Sequence, residues 1–310
     1  MKKVIVTGGA GFIGSTLVDK LISKGIEVTV IDDLSTGKVE NIHPKATWVK
    51  ISLQDLDTNI DPIGIEGIQI DIFKDVDVIF HLAALARVQP SIEDPITFNK
   101  VNVEGTLKLL FAAAKAGVKR VVYSASSSCY GDTKIFPTPE NSITNPLSPY
   151  GLQKYIGEQY CKMFSEVYGL DTCSLRYFNV YGEKMNLDGA YKLVMGIFAK
   201  QLLNGEPLTI TNDGNQKRDF TYVGDVVEAN ILAAKYPDKL YGESFNIGNG
   251  KNYSVNEVAD MLGGKKTYGE KRLEPYETLA DNTKAKKILG WNPIGDLPTW
   301  IKQYKKDLGL

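Results

Sequence analysis

The sequence has little cysteine and less histidine, three of the first and two of the second in 310 residues. Cys129, Cys161 and Cys173 are odd in number and show no metal-ligand spacing. A disulfide framework or a structural zinc site is therefore not expected, and the reading is buried or bystander thiols in a reducing compartment. His43 and His81 cannot build a metal site alone, and His81 ends an apolar strand-like run, where it reads as a packed residue. No excess of charge exists either: 36 Lys and Arg face 37 Asp and Glu, for a net charge of −1 without a basic block. That excludes the electrostatic footprint of a nucleic-acid or anionic-membrane binder. Any phosphate-bearing ligand must then be held by a few placed groups. No apolar run approaches the ~18 residues of a membrane span. The first strand pattern begins at Lys3, which leaves no room for a signal peptide, so a cytoplasmic protein is expected. Repeats and low-complexity segments are missing too. What remains is ordinary for a chain with a real core, 43% hydrophobic and 24% charged, long enough for one large domain or two unequal ones.

The first half alternates two periodicities. Strand-like runs lie at 4–6, 28–31, 48–51, 76–82, 118–123 and 170–177. Helical spacing covers 12–24, stopped by Gly25, and recurs over 97–116 and 150–168. Continuous apolar strands between helices predict a parallel sheet covered on both faces. After about residue 180 the pattern shortens: strands at 208–211, 220–222 and 244–247, helices near 223–235 and 254–262. The expected architecture is α/β, a Rossmann-type doubly wound parallel sheet over 1–180 with returning segments near 219–248. A smaller mixed α/β lobe over 181–310 is expected to take the substrate.

Chemistry first shows in Thr7-Gly8-Gly9-Ala10-Gly11-Phe12-Ile13-Gly14, between the first strand and the first helix. Gly8, Gly11 and Gly14 suit a tight turn, close approach of backbone to a pyrophosphate, and close helix–strand packing, with the helix N-terminus facing the phosphates. Asp32 ends the second strand 18 residues after Gly14. A carboxylate there accepts from ribose hydroxyls and repels a 2′-phosphate, so the dinucleotide is NAD rather than NADP. Asp33 adds negative charge.

Tyr150 and Lys154 stand four apart at the start of a helical stretch, on one helix face. Tyrosine is a poor base with a pKa of ~10, and a neighbouring ammonium favours its phenolate. The serine-rich run Ser124-Ala125-Ser126-Ser127-Ser128 follows the fifth strand. In a doubly wound sheet the carboxyl ends of the strands line the ligand crevice, where a serine can share a proton with the tyrosine.

These residues together resemble the extended short-chain dehydrogenase/reductase family. The resemblance runs through the whole chain: the glycine motif, Asp32, His81-Leu82-Ala83-Ala84, Asn102 in Asn102-Val103-Glu104-Gly105-Thr106, the serines, Tyr150 and Lys154, Arg176-Tyr177-Phe178-Asn179, Arg218-Asp219-Phe220, Leu279-Ala280-Asp281 and Leu289-Gly290-Trp291-Asn292-Pro293. It implies NAD contacts from Phe12, Ile13, Asp33, Ser35, Thr36, Gly37, Leu53, Leu82, Ala83, Ala84, Asn102, Ser124, Tyr150, Lys154 and Tyr177, besides the glycines and Asp32. At the adenine position Ser52-Leu53 fits by register and Asp71-Ile72 by letter.

The residues before Tyr130-Gly131 are serines, cysteine and alanine. Family dehydratases usually carry Asp-Glu there and decarboxylases a Glu, so the resemblance implies a UDP-sugar 4-epimerase. Its catalytic residues would be Ser126, Tyr150 and Lys154, with Ser127 adjacent. Tyr150 as phenolate takes the proton of the sugar 4-hydroxyl, Lys154 lowers its pKa, and C4 is inverted through a 4-keto sugar that rotates about its bond to the diphosphate.

The resemblance assigns Asn179, Arg218 and Arg272 to the diphosphate, Val88, Ser127, Val194 and Thr209 to the rest of the substrate, and Glu274 to a ribose. The position where glucose-restricted members tend to carry tyrosine corresponds to Glu277 or Thr278; the two-residue gap to Ala280 places it at Thr278, which leaves room for an N-acetyl group. UDP-N-acetylglucosamine and N-acetylgalactosamine are the implied substrates, with UDP-glucose and galactose beside them. A uronic acid epimerase, a dehydratase or reductase on the same fold, and a non-catalytic dinucleotide-binding regulator are the alternatives. A homodimer through the helices near 97–116 and 150–168 is also implied, and no metal.

Overall fold

The structure, a computed structural model, describes residues 1–56, 71–185, 194–270 and 274–310. In chain order it runs β1 (Lys3–Thr7), α1 (Phe12–Ser23), β2 (Glu27–Ile31), β3 (Thr47–Val49), β4 (Val78–His81), α2 (Val88–Glu93), α3 (Pro95–Asn99), α4 (Gly105–Lys115), β5 (Arg120–Ser126), α5 (Pro149–Val167), β6 (Asp171–Tyr177) and β7 (Val180–Tyr181). It continues with α6 (Val194–Leu203), β8 (Leu208–Ile210), β9 (Lys217–Asp219), β10 (Thr221–Tyr222), α7 (Val223–Lys235), β11 (Glu243–Ile247), β12 (Asn252–Ser254), α8 (Val255–Leu262), β13 (Lys266–Tyr268) and α9 (Leu297–Asp307).

Seven strands pair in the order β11-β6-β5-β4-β1-β2-β3, every pair parallel. Parallel strands need helical crossovers, which cover both faces, so the strands can be apolar throughout. Alternation divides their side chains. Val4, Val6, Val30 and Phe80 pack with Leu17, Leu21, Val226 and Trp291 on one face. Ile5, Ile31, Ile79 and Val121 pack with Leu109, Leu110, Cys161 and Phe164 on the other. A third core belongs to the smaller lobe, where Phe198, Leu208, Ile210, Val258, Leu262 and Ile301 close on one another. The strand order reverses at the β1–β4 boundary, which opens a crevice at the carboxyl ends of the strands.

Two sequence expectations change. The single helix over 97–116 is broken into α3, a π-turn at Lys100–Glu104, and α4. The cause is Asn102, whose side chain accepts from the Leu85 N–H at 2.8 Å and donates to the Leu85 carbonyl at 2.9 Å and to Gln153 at 3.0 Å. The strand expected at 220–222 is shortened to β10, which pairs parallel with β7, and β9 just before it is a further strand that pairs antiparallel with β12. β11 adds to the main sheet beyond β6.

Candidate active site

One cavity of about 810 Å³ runs along the crevice from the glycine turn to the smaller lobe. At its first end, Gly8 has φ +71°, and a Cβ there would lie 2.7 Å from the Ala83 nitrogen. A Cβ on Gly14 would lie 2.1 Å from the Gly8 carbonyl oxygen. Only glycine lets β1, α1 and the Leu82–Ala83 backbone approach this closely. Gly11 caps α1 with no side-chain bond, and no acid stands in the first turn. The first-turn N–H groups, which no helix carbonyl can satisfy, thus remain available to an anion.

Asp32 accepts from the Ala10 N–H at 2.9 Å and the Leu34 N–H at 2.8 Å, which joins the glycine turn to the loop after β2. Burial holds its carboxyl above the usual range, against the lowering effect of those two N–H groups. Asp33, Ser35, Thr36, Ser52 and Leu53 line the same end, and so do Phe12, Ile13, Leu82 and Ala84. Two expected contacts stand back from the wall. Gly37 lies against Ala10 and Asp32, where a Cβ would meet the Asp32 Oδ1 at 3.0 Å. Asn102 is turned into the core as the clamp already described, because its amide satisfies a buried backbone there.

His81 is fully buried and belongs to a hydrogen-bond chain. The Thr106 hydroxyl donates to the Asn102 carbonyl at 2.7 Å, so it accepts from His81 Nε2–H at 2.9 Å. Nδ1 then accepts from the Thr7 hydroxyl at 2.8 Å, and Thr7 Oγ1 accepts from the Leu82 and Ala83 N–H groups. Burial, then the Lys154 charge, push the imidazole pKa down to about 3. His81 is therefore a neutral packed residue that shapes the cradle.

At mid-cavity Ser124, Ser126, Ser127, Tyr150, Lys154 and Tyr177 share one wall. Ser148 caps α5 by accepting from the Gly151 N–H at 3.1 Å, with Pro149 in the first turn, which starts the helix one residue before Tyr150. Ser126 accepts from the Ser128 hydroxyl at 2.8 Å, and its side chain favours the ionised Tyr150 phenol. Lys154 is 4% exposed, with its Nζ 4.6 Å from the Tyr123 ring centre. Burial lowers its pKa to about 7.

Burial raises the Tyr150 phenol above its ordinary value, and the groups that pull it down are Ser126 and the charge of Arg87. Arg87 lies in the cavity wall with Val88. Its backbone holds φ +108°.

At the far end Asn179, Val194, Thr209, Arg218 and Thr278 line the cavity, joined by Phe198, Phe220, Gln216 and Glu274. Arg218 donates to Glu274 at 2.6 Å and to the Lys217 carbonyl at 2.8 Å. Its neighbour Asp219 points the opposite way, as strand alternation requires, and accepts from the backbone N–H groups of Asn249, Gly250 and Ala280. The Thr278 hydroxyl accepts from the Asp219 N–H at 3.2 Å and from Asn179 at 3.4 Å. Arg272 lies outside the described residues. Among the described residues no group of three His, Cys, Asp or Glu could hold a metal, and no helix is long and apolar enough to cross a membrane.

Residues 4–248 match the model of the NAD dependent epimerase/dehydratase family. The chain is 41% identical over 308 residues to a putative UDP-glucose 4-epimerase of Methanocaldococcus jannaschii, which covers 97% of this chain and 96% of that one. Its fold is similar to the crystal structure of UDP-glucose 4-epimerase from Thermotoga maritima with UDP-glucose, with a TM-score of 0.88, 38% identity and 99% of both chains covered. It is equally similar to UDP-N-acetylglucosamine 4-epimerase from Methanobrevibacter ruminantium in complex with UDP-N-acetylmuramic acid, with a TM-score of 0.88, 36% identity and 99% and 97% of the two chains covered. With a glycine cradle, a Ser–Tyr–Lys wall and relatives of this kind over nearly its whole length, the chain belongs to the NAD dependent epimerase/dehydratase family, among its UDP-sugar 4-epimerases.

Proposed function

We propose that this enzyme inverts C4 of UDP-N-acetylglucosamine and UDP-N-acetylgalactosamine, and accepts UDP-glucose and UDP-galactose as well. The observation that carries the reading is Thr278, a small side chain at the wall of the sugar end. Its hydroxyl is held back by Asn179 and Asp219, which leaves width where a tyrosine would project. The Methanobrevibacter ruminantium relative, an N-acetylglucosamine enzyme of the same fold, supports it.

The chain's own groups divide the work. The turn of Gly8, Gly11 and Gly14 and the start of α1 would hold the pyrophosphate of NAD, and Asp32 its adenosine ribose. NAD, when bound, supplies the oxidising and reducing equivalents for C4. Lys154 would orient the cofactor's second ribose. Tyr150, as phenolate, takes the proton of the 4-hydroxyl and returns it, with Ser126 donating to the phenolate oxygen in between. Asn179, Arg218 and Arg272 would grip the diphosphate, for which the planar guanidinium is suited. Val88, Ser127, Val194 and Thr209 close around the remainder of the substrate. The enzyme acts as a homodimer joined through the helices over 97–116 and 150–168, which are α3, α4 and α5.

Incubation of the purified enzyme with UDP-N-acetylglucosamine, and separately with UDP-glucose, followed by proton NMR, tests this. The galacto epimer of each is expected, without net NADH. Thr278→Tyr should lower the N-acetylhexosamine to hexose ratio of kcat/KM by about tenfold or more. An unchanged ratio removes Thr278 from the sugar pocket, and a 4-keto-6-deoxy product removes the epimerase reading.

A further inference from the structure

We propose that Ser128 is a positioning residue for the proton transfer: its hydroxyl and its backbone N–H fill both acceptor positions of the Ser126 hydroxyl, which commits the single Ser126 proton to the cavity wall that Ser126 shares with Tyr150. This rests on the 4-epimerase reading, with Tyr150 as base and Ser126 as its donor. A serine hydroxyl has one proton to give and two lone pairs that accept. Ser126 Oγ accepts from the Ser128 N–H at 3.2 Å and from the Ser128 hydroxyl at 2.8 Å. Both lone pairs are then in use, and the proton is left the remaining direction. Ser126, Ser128 and Tyr150 all line the same cavity. The two bonds differ in what they do. Ser126 is the N-cap of the single 3₁₀ turn Ser127–Tyr130, and the bond from the N–H alone satisfies that cap. The bond from the hydroxyl is not needed to close the turn. What it fixes is the rotation of the Ser126 O–H, which could otherwise swing its proton away from a phenolate that only accepts. It also polarises that O–H and strengthens it as a donor.

Ser128 is itself seated against the helix that carries the base. Its carbonyl accepts from the Gly131 N–H at 3.4 Å. The same oxygen faces Gly151, the residue after Tyr150, so closely that a Cβ on Gly151 would lie 2.8 Å from it. The Gly151 N–H is in turn held by the Ser148 hydroxyl that caps α5. The turn bearing Ser126 and Ser128 therefore docks on the first turn of α5, one residue from the base, and only a glycine there lets the two backbones meet. Ser127 lies between the two serines and lines the cavity as well, but both bonds to Ser126 come from Ser128. The geometry thus singles out the third serine of the run, two residues beyond the donor it orients.

The deciding variants are S128A, S126A and S126A/S128A, each made also in a Y150F background, all as NAD-loaded enzyme. Ultraviolet difference titration of each against its Y150F partner reads Tyr150 ionisation without substrate. A hydrogen bond to the phenolate favours ionisation, so loss of an aligned donor disfavours it. The expected result is ionisation moved to higher pH by roughly half a unit in S128A. In S126A/S128A it should move no further than in S126A, because Ser128 acts through Ser126. The cations of the wall, Arg87 and Lys154, are common to every pair and cancel. With UDP-N-acetylglucosamine, kcat of S128A should fall about three- to tenfold at an unchanged KM. Unmoved ionisation in S128A, or a shift of the same size when S126A is already present, overturns the inference. So does a raised KM with kcat kept, which would make Ser128 a direct contact of the sugar. Should S128A fail to fold, S128C, whose thiol is a weak donor, replaces it. The two readings fail separately. A parent enzyme that leaves both UDP-N-acetylglucosamine and UDP-glucose unchanged sinks the 4-epimerase reading, while the titration still decides whether Ser128 acts on Tyr150 through Ser126. A parent that epimerises, with S128A ionisation unmoved, sinks the role of Ser128 alone.

Discussion

At the scale of single residues, the site is governed by burial of groups that would rather be charged. Lys154 is the clearest case, 4% exposed with its pKa lowered to about 7 by desolvation. An unfolded lysine titrates at ~10.4. Between those two values the unfolded chain binds the proton and the folded chain does not, so stability rises with pH across that window. Below about 7 both states are protonated and the full penalty of a buried ammonium applies, eased in part by the Tyr123 ring. Lys154→Met should therefore be more stable than the parent at pH 6–7, by on the order of a few kcal/mol. Its advantage should shrink as pH rises toward 10. Chemical denaturation across that range checks it, and a constant difference would mean the ammonium is solvated.

At the scale of elements, the junction of β1 with α1 is the tightest part of the cradle. The Gly14 Cα faces the Gly8 carbonyl oxygen, where an added Cβ would sit at 2.1 Å, and the obstacle is backbone rather than a yielding side chain. Gly14→Ala must push α1 off the sheet or open the turn. Overpacking of this kind costs about 1–3 kcal/mol, and the first-turn N–H groups move with the helix. We expect a lower thermal midpoint and a loss of NAD retained through purification, read by the absorbance of released cofactor. Normal NAD content in G14A would show that the cradle tolerates the displacement. The same scale explains the break between α3 and α4. A helix pattern over 97–116 was legible in the sequence, but the π-turn was not, because it answers to Asn102 binding Leu85 and Gln153, 17 and 51 residues away in the chain.

At the scale of the whole molecule, Asp219 joins the smaller lobe to the main sheet. Its carboxylate, with no measurable exposure, accepts from Asn249 and Gly250 just after β11, and from Ala280 beyond β13. Burial raises its pKa to about 6 in spite of those three donors. Asp219→Ala would strand backbone N–H groups in and near the interior, each worth about 1–3 kcal/mol. The expected outcome is a loss of stability of at least that size, with faster amide hydrogen exchange at 249, 250 and 280 than elsewhere. Exchange unchanged at those amides would show that other contacts hold the lobes.

The sequence by itself determined the parallel sheet and the cradle, because strand and helix periods and the glycine turn are local properties of neighbouring residues. Tyr150 and Lys154 were legible for the same reason, four apart on one helix. Tertiary structure alone decided four things: that Asn102 and Gly37 stand behind the wall, that Arg218 pairs with Glu274 instead of Asp219, that Lys154 is desolvated, and that Arg87 lines the same cavity as Tyr150. Each depends on burial or on a partner far along the chain, 56 residues for Arg218 and Glu274. Electrostatics in a protein follow distance in space and the depth of water exclusion, and neither quantity is written in the order of the residues.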